Sequence, residues 1–315
     1  MILQVQHETC LQYSDPVTEW VTEMRVEPVS DERQTCQSFH LRSSEAGGQF
    51  RYEDGFGNHV HHFNVLAPRR EVRLLAASLV ETHPPPCRLA DSSASYPFPW
   101  NDAPVETMDF LYFRGPTCHT PLLEPILDAL RPRAGMPLGD VVASVSKYVH
   151  EHFEYARAVT SASSPIADIL EHRKGVCQDF AHLMIAILRS FGMPARYVSG
   201  YIHRPNKESQ SHAWCEAWLP ELGWVGVDPT NDCLVNDHHV KVACGRDFTD
   251  VPPNKGVYRG RGEETILVRV ETRALERLPP LSWQEQLRPL DVPLTTIRRG
   301  TRPLDEDEEQ GQQQQ

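Results

Sequence analysis

Short runs in which apolar and polar residues alternate fill the first 85 positions. Leu3-Val5-His7, Glu19-Val21-Glu23 and Phe63-Val65 are separated by the turn-forming groups Ser14-Asp15-Pro16, Ala46-Gly47-Gly48 and Asp54-Gly55. A period of two with such punctuation predicts antiparallel strands. Prolines then take over: 11 of the 26 fall between Pro84 and Pro137, which suits an irregular crossover and excludes a central strand there. Helical spacing begins behind Pro137 and Asp140, with Val141, Val142, Val145, Tyr148, Val149, His152 and Phe153. A stronger helix follows Cys177, since Phe180, Leu183, Met184, Ile187, Leu188 and Phe191 share one face. It stops at Gly192, with Pro194 beyond. Strands return at 195–202, 212–219 and 224–228, the last two joined by Pro220-Glu221-Leu222-Gly223. Another is expected at 265–272, TILVRVET, and the Pro-rich, then acidic and Gln-rich end reads as disorder.

The predicted fold class is therefore α+β. The expected division is an N-terminal β domain over 1–85, a Pro-rich linker or crossover over 86–136, a core over 137–275 and a tail over 276–315. At 315 residues the chain is long enough for two packed domains.

Charge changes the picture only by exclusion. There are 31 basic and 43 acidic residues, and five of the acids sit in the tail between Asp305 and Glu309. No Lys/Arg-rich run is present, so no nucleic-acid partner is expected. The longest apolar run is Leu183 to Leu188, far below the ~20 residues of a membrane span. The opening MILQVQHETC lacks the basic and apolar blocks of an export signal, which points to the cytoplasm. Eight single, scattered cysteines then read as reduced thiols.

One cysteine is placed for chemistry. Cys177 follows Gly175-Val176 at the mouth of the strong helix, where free N–H groups and the helix dipole favour a thiolate. A thiolate nucleophile needs an imidazole to move protons, and that imidazole needs an orienting carboxylate or amide. His212 begins one predicted strand and Asp228 ends the next, so a hairpin can hold them together with inward faces toward the helix of Cys177. Gln178, Asp179 and His182 lie beside the nucleophile, and Gln178 is a candidate for the substrate cleft. Asp179 reads as a first-turn helix acid and His182 as structural.

Four blocks carry a resemblance: Gly175-Val-Cys-Gln-Asp-Phe-Ala-His182, Gly192 to Tyr201, Ser211-His-Ala-Trp-Cys-Glu-Ala-Trp218 and Gly223-Trp-Val-Gly-Val-Asp-Pro-Thr-Asn231. In this order they resemble the core of the bacterial transglutaminase-like family. Phe153-Glu-Tyr155, Thr160, Val242 to Asp247 and Gly256 to Gly260 resemble its flanking signatures. The first 85 residues, with Asp54-Gly-Phe-Gly-Asn58, resemble its N-terminal β domain. The resemblance implies a papain-like core in which a nucleophile helix packs on an antiparallel sheet. It implies Cys177 as nucleophile, His212 as general base and then acid, and Asp228 as orienting group. The reaction implied is attack on a side-chain carboxamide or peptide carbonyl through a thioester, resolved by water or an amine. Peptide or protein substrates follow, and no metal or other cofactor is required. The backbone N–H of Cys177 is the natural oxyanion donor, and no second donor is assigned.

Rival readings are a peptide-binding module that keeps the fold without catalysis, and acyl transfer from a thioester cofactor to an arylamine. Trp214, Trp218 and Trp224 read as core and cleft wall, with Trp214 and Trp224 candidates for the acyl site. His59 and His61 share a strand face, but an exposed strand explains them without a metal, and no ligating Cys or carboxylate accompanies them in the sequence. His238-His239 with Cys233 and Cys244 shows no zinc spacing.

Overall fold

The computed structural model describes residues 1–280, apart from 46, 86, 158, 162–163 and 206–209, together with the backbone of 295–297. Most of the expected disordered tail lies outside these residues.

The first strand, β1 (Ile2–Met24), is a single 23-residue element. Ser14-Asp15-Pro16 does not end it. The register against a neighbouring strand shifts between Gln12 and Val17 instead, so the proline, which has no N–H to give a ladder, sits in a bulge. β1 changes partners at this corner. Strands β2 (Gln34–Ser43), β3 (Gly48–Glu53), β4 (His59–Val65) and β5 (Arg69–Thr82) follow it. β5 pairs with the first half of β1 and β4 with the second, all antiparallel.

Residues 87–136 are a packed segment, not a bare linker. They form short 3-10 turns and helix α1 (Glu124–Leu130), and Leu123, Ile126 and Leu127 bury into the main core. Helix α2 (Leu138–His152) comes next, then the two-residue β6 (Glu154–Tyr155), α3 (Ile166–His172), β7 (Lys174–Gly175) and α4 (Cys177–Ser190). Both predicted helices are present. α4 is buried on every side from Phe180 to Leu188, as an all-round apolar sequence requires of a central helix. Each such Leu or Ile contributes roughly 1.5–3 kcal/mol by leaving water. Gly192, at φ 74°, then takes a left-handed turn that L-residues with a Cβ resist.

The core sheet contains β8 (Ala195–Ile202), β9 (Gln210–Leu219), β10 (Gly223–Asp228), β11 (Cys233–Leu234) and β12 (His239–Gly245), in the order β11-β10-β9-β8-β12. Ala213, Cys215, Ala217 and Leu219 of β9, with Val225 and Val227 of β10, share the apolar core with α4. β12 was absent from the predicted strands.

Two later strands, β13 (Asn254–Arg259) and β14 (Glu264–Leu275), join the N-terminal sheet rather than the core sheet. Both pair antiparallel with β1. Grouping 265–272 with the core is thus corrected: β1 to β5 leave one side of β1 unpaired, and these strands cover it. A last short strand, β15 (Thr295–Ile297), adds to β14.

The two sheets meet along β12, the edge strand of the core. Two buried amide side chains from the N-terminal sheet close that edge. The Gln34 amide donates to the Lys241 carbonyl and accepts from the Lys241 N–H, both at 2.8 Å. Asn58 treats Cys244 the same way, at 2.9 and 2.7 Å. Nearby, the Arg33 guanidinium donates to the Val235 carbonyl at 2.8 Å and the Thr82 hydroxyl to the Asp237 carbonyl at 2.5 Å.

Candidate active site

Cys177 is the first residue of α4 and is partly exposed. The turn before it is braced by Asp179. Its Oδ2 accepts the Val176 N–H at 2.8 Å and the Thr160 hydroxyl at 2.6 Å. Burial pushes this carboxyl above its ordinary range, against the pull of both hydrogen bonds. Asp179 is therefore a buried brace rather than a solvated helix acid. Gly175 is needed beside it, because a Cβ there would lie 2.8 Å from Asp179 Oδ2. Tyr155 stands opposite Gly175 in the β6–β7 pair. Burial and the neighbouring Cys177 raise its phenol.

His212 and Asp228 meet as expected. His212 Nε2 lies 2.7 Å from Asp228 Oδ2, with both side chains buried. Cys177 acts electrostatically on the same imidazole, whose Nδ1 is the ring nitrogen not turned to Asp228. Burial alone would lower the imidazole, but the hydrogen bond to Asp228 and the neighbouring Cys177 outweigh it and raise His212 to about 10. The imidazole therefore carries its proton at neutral pH, a positive charge beside Cys177. Asp228 is held well below the usual carboxylate range, as the hydrogen bonds of His212 and His239 overcome its burial.

One detail of the expected arrangement is corrected. The residues of β9 that meet α4 are Ala213, Cys215 and Ala217, whereas His212 shares the opposite face with Trp214 and Glu216. Its position at the start of the strand, near the first turn of α4, is what brings it to Cys177.

The sequence reading did not single out two groups on Asp228. The Asn231 side-chain amide donates to Oδ2 at 2.6 Å, and its backbone N–H, with that of Thr230, donates to Oδ1 at 3.3 and 3.0 Å. His239 Nε2 lies 3.1 Å from Oδ2. The proximity of His239 had no signal in the chain beyond the pair His238-His239, which was weighed only as a metal ligand. His212, Asp228 and His239 do bring three possible ligand atoms together. Oδ2, however, already faces three hydrogen-bond partners, and a 2.7 Å contact is a hydrogen bond rather than the spacing of two atoms around one ion.

The other candidates divide. Gln178 sits in the first turn of α4, half-buried beside Cys177. Trp214 is fully buried, with its ring centroid 5.4 Å from that of His239, so it walls the back of the site and does not line an acyl pocket. Trp224 lies under the Arg196 guanidinium at 4.2 Å and against Trp218 and Phe110, on the face away from α4. It too is structural. His182 is buried, lowered to about 3 by that burial, and accepts the Phe248 N–H at 3.1 Å. His59 and His61 are not explained by exposure. His61 is buried, and both imidazoles reach Glu27, at 3.2 and 2.6 Å, a carboxylate that also takes Arg51 at 2.8 Å. Cys215 packs against α4 and Cys244 against Trp214, each as a buried apolar side chain.

Comparison with known proteins agrees with the geometry. Residues 128–229 match the Transglutaminase-like superfamily model, and residues 3–81 match that of the Bacterial transglutaminase-like N-terminal region. An uncharacterized protein of Mycobacterium leprae is 34% identical over 297 residues, spanning 87% of this chain and 99% of the relative. A protein-glutamine gamma-glutamyltransferase of Pseudomonas aeruginosa is 33% identical over 125 residues, 35% of this chain and 18% of that protein. The crystal structure of a candidate cysteine protease from Cytophaga hutchinsonii superposes with a TM-score of 0.71, at 21% identity, over 89% of this chain and 93% of that one. The papain-like α+β fold is thereby shared, and the chain belongs to the bacterial transglutaminase-like family.

Proposed function

We propose that this protein is a thiol-dependent enzyme that acts on a peptide or side-chain carboxamide of a peptide or protein substrate, with Cys177 as nucleophile. The observation that carries the reading is the buried His212, held by Asp228 at 2.7 Å and acting electrostatically on Cys177 at the mouth of α4. The Cys177 thiolate adds to the carbonyl carbon, and N–H groups at the start of α4 face the resulting oxyanion. The C–N bond breaks as the His212 imidazolium gives its proton to the departing nitrogen, which leaves a thioester and a neutral imidazole. His212 then takes a proton from water or an amine, whose attack releases acid or a new amide and restores the thiol. Hydrolysis is the preferred outcome, and amine transfer shares every step but the last. Eight free thiols suit a reducing compartment, the cytoplasm.

The test is a set of glutaminyl and asparaginyl peptides, each with and without an alkylamine. Mass spectrometry follows acid, new amide, chain cleavage and any acyl adduct on Cys177. An adduct on Cys177 that is absent from Cys177→Ala supports the reading. No product from any peptide, together with a Cys177 no more reactive to iodoacetamide than the other thiols, sinks it.

A further inference from the structure

The carboxylate of Asp228 serves one imidazole more than the chemistry on Cys177 uses. We propose that His239 is a positioning residue that fixes Asp228, so that the carboxylate stays aimed at His212. The proposal rests on the reading of Cys177, His212 and Asp228 given above.

His239 Nε2 lies 3.1 Å from the same Oδ2 that holds His212, and the two side chains that meet there are 1% and 0% exposed. An ionised carboxylate only accepts, so Nε2 must carry the hydrogen. The far nitrogen agrees. His239 Nδ1 lies 3.3 Å from the Asn236 backbone N–H, which needs an acceptor, and 3.2 Å from Asn236 Oδ1, which can take a proton. Nδ1 thus has a partner whether His239 is neutral or charged, and Nε2–H faces Asp228 in both states. Burial lowers this imidazole and keeps it neutral. Asp228 is then closed on all sides: His212, Asn231 and His239 on Oδ2, and two backbone N–H groups on Oδ1. Rotation of the carboxylate away from His212 would break several of these at once.

The mount for His239 is as telling as its contact. It begins β12, the strand whose edge is closed by Gln34 and Asn58 of the N-terminal sheet. Arg33 and Thr82 of that sheet hold the carbonyls of Val235 and Asp237 just before it. The N-terminal domain therefore reaches the site through His239 and contributes to the aim of Asp228. The charged and titratable groups facing His239 are Asp228 and His212 across the site, His238 beside it, and Asp31, Arg33, Glu216 and Lys241 around the small cavity behind it.

The test needs no substrate. Alkylation of Cys177 by iodoacetamide, located by peptide mapping from pH 3 to 11, should show two inflections that bound a thiolate–imidazolium pair. In His239→Ala the two should approach each other by about one pH unit or more, while in His239→Gln, whose amide can still donate, the wild-type span should largely return. A His239→Ala span equal to wild type overturns the proposal, whatever else the substitution does. A second measurement uses the intact wild-type protein: histidine ring 15N NMR should find Nε2 of His239 protonated. An unprotonated Nε2 overturns the proposal even where the alanine variant fails to fold. Absence of any pair-like profile in wild type would instead overturn the underlying assignment of Cys177 and His212.

Discussion

Asp228→Asn keeps the shape of the side chain and removes its charge, so it isolates what the carboxylate does for His212. The imidazole holds its proton to about pH 10, against about 6.5 when free. At ~1.4 kcal/mol for each pH unit, that difference sets a ceiling of about 5 kcal/mol on the stability it supplies. Cys177 carries part of it, so we expect Asp228→Asn to lose ~2–4 kcal/mol. The sign follows from the direction. A group raised in the folded state stabilises fully below its unfolded value, here about pH 6.5, and that contribution disappears as pH climbs through about 10. Urea unfolding of both proteins under reducing conditions, at pH 6, 8 and 10.5, reads this directly. The gap between wild type and variant should be greatest at pH 6 and should close toward pH 10.5. A gap that stays constant or widens with pH would refute the ion pair as the source of the raised imidazole.

Thr160→Val removes the 2.6 Å hydrogen bond to buried Asp179 and should cost about 1–3 kcal/mol at pH 7. Because Asp179 is already raised, the loss falls on its ionised form, so thermal unfolding should show the deficit shrinking toward pH 4; a deficit that grows there contradicts the brace. Asn58→Ala leaves the N–H and C=O of Cys244 without their partner on a buried edge, and should cost roughly 2–4 kcal/mol in urea unfolding. A loss below ~0.5 kcal/mol would mean that water closes that edge equally well.

What could be read from the sequence follows from the range of the interaction that decides each feature. α4 was legible because its apolar spacing, Gly192 and Pro194 are all local, and β8 to β10 because short runs are bounded by local turn residues, Pro194 and Pro220 to Gly223. The meeting of His212 with Asp228 was legible because a hairpin fixes their separation in the chain. The bulge at Pro16 was misread as a turn because proline carries the same local signal in both, and only the partners of β1 decide between them. β14 was found as a strand but given to the wrong sheet, since TILVRVET says nothing of which edge it will cover. Trp214 and Trp224 were misjudged because accessibility depends on what packs against the outer face of the sheet. His239 escaped because its meeting with Asp228 depends on how β12 is hung from the other sheet.

The pairing of β1 with both β5 and β14 also sets an order of events during synthesis. β5 is complete by Thr82, so β1 and β5 can zip up while the chain is still growing. The other edge of β1 has to wait about 180 residues for Glu264 to emerge. At roughly 5–20 residues per second that is on the order of 10–40 s, with a long row of peptide groups bare on the ribosome. An unpaired edge of this length invites other strands. The transglutaminase-like core is made inside that interval, and its completion is what lets the first strand close.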